Sequence, residues 1–162
     1  MSDVTIRAAI SSDANALDRI CASLEVTRDS MRLPYETDEE RSEQIANSDT
    51  VRTVAGELDG EVVGFGRLHL FERRRAHAAR IELVIDPNFS KAGVGAELLN
   101  SLIELGEHWY GIRRFEARVF TEDDRAIQLY ERAGFGIEAT HRQHAMRDGE
   151  YADAFTMARL DE

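Results

Sequence analysis

The 162-residue chain is 43% apolar and carries a formal net charge of −11, a composition that can bury one continuous core. So acidic a surface repels phosphate backbones, and we therefore expect no nucleic-acid partner. The sequence has no run of about 18 apolar residues and no amino-terminal cationic segment followed by an apolar one. We expect one cytoplasmic domain over residues 1–162 that neither enters a membrane nor is exported.

Cysteine and histidine residues give no signal for a disulfide or a metal. Cys21 is the only cysteine, and we interpret it as a small buried residue on a helix rather than a nucleophile. His141 and His144 stand three residues apart without cysteine partners nearby. Structural zinc is therefore not predicted, and no metal site is assigned.

The first 50 residues are predicted to form a short strand and two helices. Thr5 to Arg7 favours the strand, and Ser12 or Asp13 can cap the first helix. The apolar residues with helical spacing are Leu17, Ile20, Cys21 and Leu24. The segment 37–40, Thr-Asp-Glu-Glu, is a capping box that begins a second, acidic helix. We expect that helix and the loop before it to cover a site.

The central segment is predicted to be rich in strands. Residues 51–58 and 61–70 flank Asp59-Gly60, a strong hairpin signal, so they should pair antiparallel. Residues 80–85 form another strand that Asp86-Pro87 ends.

The remaining elements alternate between helices and strands. The longest helix runs from Gly93 to about Trp109, then a strand covers 115–120 and a helix covers 123–133. A last hairpin, 135–141 with 151–160, turns at Asp148-Gly149. The predicted order is β-α-α-β-β-β-α-β-α-β-β.

A strand, a short loop with Gly93 and Gly95, and a helix start follow one another. Unpaired amides in the first turn of a helix bind phosphate groups, glycine allows close approach, and Lys91 adds a positive charge. By itself this pattern also fits an ordinary helix start. Leu98 stands where a dinucleotide-binding fingerprint needs its third glycine, and no Gly-Lys-Ser/Thr is present, so both nucleotide-loop alternatives are disfavoured.

Two motifs resemble those of the GNAT acetyltransferases. The first is Ser90-Lys-Ala-Gly93-Val-Gly95, and the second runs from Asp123 through Ala126 and Tyr130 to Gly134-Phe135. The resemblance covers essentially the whole chain. It implies an α/β (α+β) fold in which four helices flank a mixed, mostly antiparallel sheet of about seven strands, with strands 4 and 5 splayed apart.

The resemblance also implies acetyl-CoA as cosubstrate and assigns residues to it. The backbone of Leu83, Val84 and Ile85 would pair with the pantetheine, and an amide near Val84 would donate to the oxyanion. Tyr130 would protonate the departing thiolate as general acid. The residues expected around the pyrophosphate are Ser90, Lys91, Ala92, Gly93, Val94, Gly95 and Ala96.

Two positions depart from the family pattern. Ser90 replaces an Arg or Gln donor, for which Lys91 can compensate. Asp123 replaces the Asn that commonly contacts the pantetheine, so acceptors are retained but amide donors are lost. We expect a lower cofactor affinity than is typical.

A general base is not assigned. Glu82 lies on the presumed fourth strand but on the face opposite Ile81 and Leu83, so a structural role is favoured over catalysis. His77 is no better placed. Arg73 to Arg75 could touch the adenosine phosphate, although a solvated turn is the simpler interpretation.

Within the family, residues 147–159 and the Val119-Phe-Thr segment are most similar to bacterial L-amino-acid N-acetyltransferases. An amino acid needs a positive group and an apolar wall, which Arg32, with Met31, Leu33 and Tyr35, could provide. The alternatives are acetylation of a protein N-terminus or a polyamine, and a catalytically silent CoA-binding domain. The resemblance also allows a homodimer.

Overall fold

A computed structural model describes residues 3–161 as one seven-stranded sheet with helices on both faces. The order across the sheet is β1-β2-β3-β4-β5-β7-β6. The strands are β1 (Val4–Ala8), β2 (Val51–Leu58), β3 (Glu61–Leu70), β4 (Ala78–Ile85), β5 (Arg114–Phe120), β6 (Gly136–Arg147) and β7 (Glu150–Leu160). The helices are α1 (Ala14–Cys21), α2 (Leu24–Asp29), α3 (Asp38–Glu43), α4 (Val94–Trp109) and α5 (Asp124–Arg132).

Both predicted hairpins are confirmed. Asp59 and Gly60 take φ values of 53° and 80°, and Asp148 and Gly149 take 52° and 87°. Two successive positive φ angles give the turn whose twist matches that of the flanking strands. The turns set the antiparallel pairing of β2 with β3 and of β6 with β7.

The prediction of four helices is wrong, because the first predicted helix is two. Ser23 adopts an extended backbone, with ψ of 128°, between α1 and α2. Leu24, assigned to the apolar face from its spacing, is 64% exposed. The break lets α2 leave the direction of α1, and Val26 instead is the buried residue of α2.

The acidic helix begins as its capping box predicts. The Glu40 amide donates to Thr37 Oγ1, and the Thr37 amide donates to Glu40 Oε2. This helix, α3, has no buried residue.

The sheet has two faces, which we name by the helix that covers each. On the α4 face, Leu102 packs with Leu68, Ile81 and Phe115. A Cβ on Gly66 of β3 would lie 2.8 Å from Leu102 Cδ1, so glycine there lets α4 approach the sheet closely. On the α1 face, the core contains Leu17, Ile20, Phe65, Val84 and Cys21. The expected burial of Cys21 is confirmed.

The parallel pair β4–β5 is short. Ala78, Ala79 and Arg80 pair with Arg114, Phe115 and Glu116, and the ladder then ends. β5 continues to pair with β7 as far as Phe120, and β4 continues to pair with β3 as far as Ile85. The two central strands therefore separate beyond Arg80, which confirms the predicted splay.

Among residues 3–161, no group of three metal-ligating side chains is arranged to hold a metal ion. No helix in that range is long and apolar enough to span a bilayer.

Candidate active site

The gap between β4 and β5 exposes backbone groups of β4. Phe71 N donates to Ala78 O, and Asp86 N donates to Val63 O, so the even-numbered residues of β4 turn their N–H and C=O groups toward β3. Alternation then turns those of Ile81, Leu83 and Ile85 toward β5, where no ladder follows. The amide of Val84 itself faces β3. A donor near Val84 must therefore come from Leu83 or Ile85.

The glycine loop presents a row of unpaired amides. Ser90 and Ala92 donate to Pro87 O and Phe89 O, and Glu97 N is the first amide to bond back into α4, to Gly93 O at 3.1 Å. Within the described part of the chain, the amides between these points make no hydrogen bond to protein. They belong to Lys91, Gly93, Val94, Gly95 and Ala96. Several donors at one helix start form an anion site.

The two loop glycines serve different purposes. Gly93 is the N-cap of α4 with φ of 84°, and nothing lies within 4 Å of where its Cβ would be. Gly95 is buried, and a Cβ there would lie 2.8 Å from Ile85 Cδ1 and 3.1 Å from Leu129 Cδ2. Gly93 thus supplies a left-handed turn, while Gly95 lets α4 approach both β4 and α5. Ser90 is half-buried, and Lys91 is exposed.

Asp123 caps α5. Its Oδ1 accepts from Ala126 N at 3.1 Å, and burial raises its pKa despite that hydrogen bond. It also lines a cleft of about 370 Å³ together with Glu25, Asp29 and Arg147. The departure from Asn therefore keeps the helix cap and adds a carboxylate to an acidic cleft.

Tyr130 of α5 lies in the core of the α4 face. It is 5% exposed, and its ring packs edge-on against Phe135 at a centroid distance of 5.1 Å. Burial raises the pKa of the phenol, and the Glu82 carboxylate, followed by Asp123, raises it further. The phenol therefore stays protonated at neutral pH, as a general acid must.

Glu82 lies on the α1 face of β4, at the start of the gap. His69 Nε2 is 2.7 Å from Glu82 Oε1, although its geometry is not that of an aligned hydrogen bond. Arg80 Nη2 lies 3.2 Å from the same oxygen. Burial alone would raise the pKa of Glu82, but His69 and Arg80 outweigh it and lower the pKa to about 2.

Two further residues of this cluster, Arg67 and His69, were not predicted from the sequence to belong to the site. Arg67 stands opposite Glu82, and His69 opposite Arg80, in the register of β3 with β4. The sequence did not indicate this pairing, because the β3–β4 register depends on a connection whose length does not determine it, and a bulge at Gly56/Glu57 shifts the register of the preceding hairpin.

In the loop before α3, the two residues predicted to bind the acceptor, Arg32 and Tyr35, differ in orientation and exposure. Arg32 reaches inward, donates from Nε to Gln44 Oε1 at 2.7 Å, and lies near enough to Glu82 to lower that carboxyl's pKa. Tyr35 is 99% exposed and has φ of 63°. Met31 and Leu33 are also mostly exposed. In this conformation the loop supplies a positive charge to the site but no apolar wall.

The arginine run after β3 is remote from the glycine loop, because the two lie at opposite ends of β4. Arg75 hydrogen-bonds Glu116 and stacks on Phe71 at 4.4 Å. His77 accepts the Arg113 and Arg114 amides through its carbonyl, where β4 and β5 begin. Neither feature lies at the open end of the gap.

Comparison with known proteins agrees with this arrangement. The family model described as "Acetyltransferase (GNAT) family" matches residues 18–135. The L-amino acid N-acetyltransferase AaaT of Escherichia coli (strain K12) is 34% identical over 161 residues, 99% of this chain and 99% of that protein.

Two solved structures share the fold. The crystal structure of a putative phosphinothricin N-acetyltransferase superimposes with a TM-score of 0.86 at 24% identity, over 99% of this chain and 100% of that one. The spermidine N-acetyltransferase of Vibrio cholerae, in complex with CoA and spermine, gives 0.85 at 20% identity, over 97% and 95%. With the family match covering most of the chain and its splayed strands and glycine loop in place, the chain belongs to the GNAT family of acetyltransferases.

Proposed function

We propose that this enzyme transfers the acetyl group of acetyl-CoA to the α-amino group of a small L-amino acid. The observation that carries the proposal is the gap between β4 and β5, which has unpaired amides at its rim, Tyr130 on one face and Glu82 on the other. This arrangement separates a donor side from an acceptor side.

The donor side is the α4 face with the glycine loop. The pyrophosphate of acetyl-CoA would accept from the free amides between Lys91 and Ala96, at the positive end of the α4 dipole. The pantetheine would pair with the gap-side backbone groups of Leu83 and Ile85, as an added strand does. Family membership and the CoA-bound structural neighbour support this placement.

The chemistry is a direct attack of the amine on the thioester carbonyl. The carbonyl oxygen of the tetrahedral intermediate would accept from a gap-side amide of β4, at Leu83 or Ile85. As the intermediate collapses, the C–S bond breaks and Tyr130 donates its hydroxyl proton to the thiolate. The proton that the attacking nitrogen loses passes to water, and water returns a proton to the Tyr130 phenolate. No side chain needs to form a covalent bond with the acetyl group.

Glu82 has an electrostatic role on the acceptor side. With a pKa of about 2, it is a carboxylate at neutral pH and a weak proton acceptor. It can attract and orient the ammonium form of the acceptor before the amine loses its proton. This differs from the structural role expected from the sequence.

The acceptor class rests on the full-length relative that acts on L-amino acids. Arg32, which lies near enough to Glu82 to lower its pKa, adds the positive group that an α-carboxylate needs. The acidic cleft at Glu25, Asp29 and Asp123 favours a polyamine as the second candidate, and a structural neighbour is a spermidine N-acetyltransferase.

The test is release of CoA thiol with phenylalanine, methionine, spermidine, an aminoglycoside and an N-terminal peptide at equal concentration. We expect an amino acid to give the highest kcat/KM. If spermidine or the peptide exceeds both amino acids by more than about tenfold, the acceptor class is wrong while the acetyltransferase class stands. If CoA binds and no amine releases thiol, the chain is a silent CoA-binding domain.

A further inference from the structure

The α1 face around Glu82 holds more positive than negative charge. Arg67 and Glu82 are opposite each other on neighbouring strands, as are His69 and Arg80. All four side chains share one face because they alternate by two residues along β3 and β4. Glu82 forms an ion pair with Arg80 at 3.2 Å, and His69 Nε2 lies 2.7 Å from the same carboxylate oxygen. Arg67 is therefore a second guanidinium group beside a carboxylate that already has one.

Arg67 is a partly buried cation without a carboxylate partner. Its Nε donates to Thr53 Oγ1 at 3.2 Å and its Nη2 donates to Glu43 O at 3.4 Å, both neutral acceptors. Within residues 3–161, no carboxylate oxygen lies within ion-pair distance of it. Burial lowers the pKa of Arg67, and the nearby guanidinium groups of Arg32 and Arg80 lower it further, against the raising effect of Glu82.

Arg32 repeats this pattern from the loop above the sheet. Its Nε donates to the neutral Gln44 Oε1 at 2.7 Å, and it too forms no ion pair among the described residues. Two partly buried guanidinium groups thus approach one another beside Glu82, which already forms an ion pair with Arg80. Glu36 is linked to Arg32 only through Gln44. A bound anion would relieve the repulsion between the two arginines, because like charges repel strongly away from bulk water.

We propose that Arg67, together with Arg32, binds the α-carboxylate of the acceptor while the α-ammonium group lies at Glu82. This rests on the proposed function and extends it by a residue that determines specificity. Directly opposite residues on neighbouring strands have Cβ atoms about 4.5–5.5 Å apart. Side chains that start this close together and end in a guanidinium and a carboxylate suit the two oppositely charged groups that an α-amino acid carries on one carbon.

The same charges select against a polyamine. Spermidine has no group that Arg67 or Arg32 could bind, and its further ammonium groups would be repelled by them. An amino-acid amide keeps the ammonium and the side chain but loses the negative charge. Discrimination between acid and amide therefore measures the contribution of the arginines directly.

The experiment compares wild type with Arg67→Gln, using methionine and methioninamide as acceptors in the thiol-release assay. The matched control is Arg52→Gln, a half-buried arginine on β2 whose neighbour Thr53 faces Arg67, so that Arg52 points to the other face. In the wild type we expect kcat/KM for methionine to exceed that for methioninamide by at least about tenfold. Arg67→Gln should lose most of this preference by lowering the methionine value alone, and Arg52→Gln should keep it.

Equal use of acid and amide by the wild type, or an unchanged preference in folded Arg67→Gln, would overturn the assignment. If Arg67→Gln does not fold, Arg67→Lys keeps the charge and should retain part of the preference for methionine over methioninamide. Arg32→Gln, which removes a charge, should then lose that preference. Calorimetry of methionine with the CoA complex separates this inference from the proposed function. If no amine releases thiol, methionine binding that weakens at least about tenfold in Arg67→Gln still supports the carboxylate site. Absent or unchanged binding would overturn it.

Discussion

Glu82 and Tyr130 approach the gap between β4 and β5 from opposite faces of the sheet, close enough for the carboxylate to raise the pKa of the phenol. The pair therefore places a permanent negative charge and a permanent hydroxyl donor on either side of the space where β4 lacks a partner strand. An amine attacking from the Glu82 side would expel a thiolate toward the Tyr130 side. In the proposed mechanism, the sheet therefore separates the two substrates.

Tyr130→Phe should lower kcat by roughly a hundredfold, since only the hydroxyl that protonates the thiolate is removed. Because burial raises the pKa of Tyr130, the wild-type rate should show no loss up to about pH 10, where an ordinary tyrosine ionises. Thiol release measured from pH 6 to 10 checks both points. Tyr110→Phe, at the half-exposed end of α4, is the control and should match wild type; full turnover by Tyr130→Phe would remove the general-acid role.

Gly93→Val should weaken acetyl-CoA binding more than about tenfold, or about 1.4 kcal/mol, because a branched side chain would cover the free amides. Gly60→Val controls for backbone strain, since Gly60 and Gly93 have φ of 80° and 84° and neither has an atom within 4 Å of its missing Cβ. Both variants should lose similar stability in urea unfolding. Calorimetry should show weaker cofactor binding for Gly93→Val alone, and equal affinities would contradict the phosphate assignment.

Glu82→Gln should change how stability depends on pH. The pKa of Glu82 is about 2 in the folded protein, against an ordinary value of 4.5 in the unfolded chain, so the folded chain binds fewer protons in this range. Its stabilising contribution is present above about pH 4.5 and is lost as the pH falls toward 2. The wild type should therefore lose more free energy of unfolding than Glu82→Gln between pH 6 and 3.

Urea unfolding at pH 6, 4.5 and 3 measures this difference. Glu150→Gln, which removes an exposed carboxylate at the start of β7, serves as the control and should follow the wild type. Parallel curves for wild type and Glu82→Gln would mean that the contacts with His69 and Arg80 do not depress the pKa in solution.

The local features of the fold were predictable from the sequence because short-range chemistry determines them. Asp59-Gly60 and Thr37 with Glu40 each specify a turn or a helix start through neighbouring residues. The division of the first helix was not predicted, since Leu24 keeps helical spacing across the extended Ser23. The spacing of apolar residues identifies the buried face of a helix only while the backbone between them remains helical.

In the candidate site too, features formed by neighbouring residues were predictable, and features formed by strand pairing were not. The free amides around Gly93 follow from one contiguous motif, whereas Arg67 joins Glu82 through the pairing of strands that an arginine-rich connection separates. The capping role of Asp123 carried a visible signal, because Asp is a preferred N-cap residue at a helix start.

The short ladder between β4 and β5 joins two half-sheets through only three residue pairs. A cofactor lying in the gap would act as a removable strand that fastens one half to the other. Saturation at a hundredfold excess over Kd would then add about 2.7 kcal/mol to the free energy of unfolding. In hydrogen exchange, the amides of Ile81, Leu83 and Ile85 should exchange quickly in the empty enzyme and slowly once CoA is bound, so the enzyme would be most cohesive while it holds its cosubstrate.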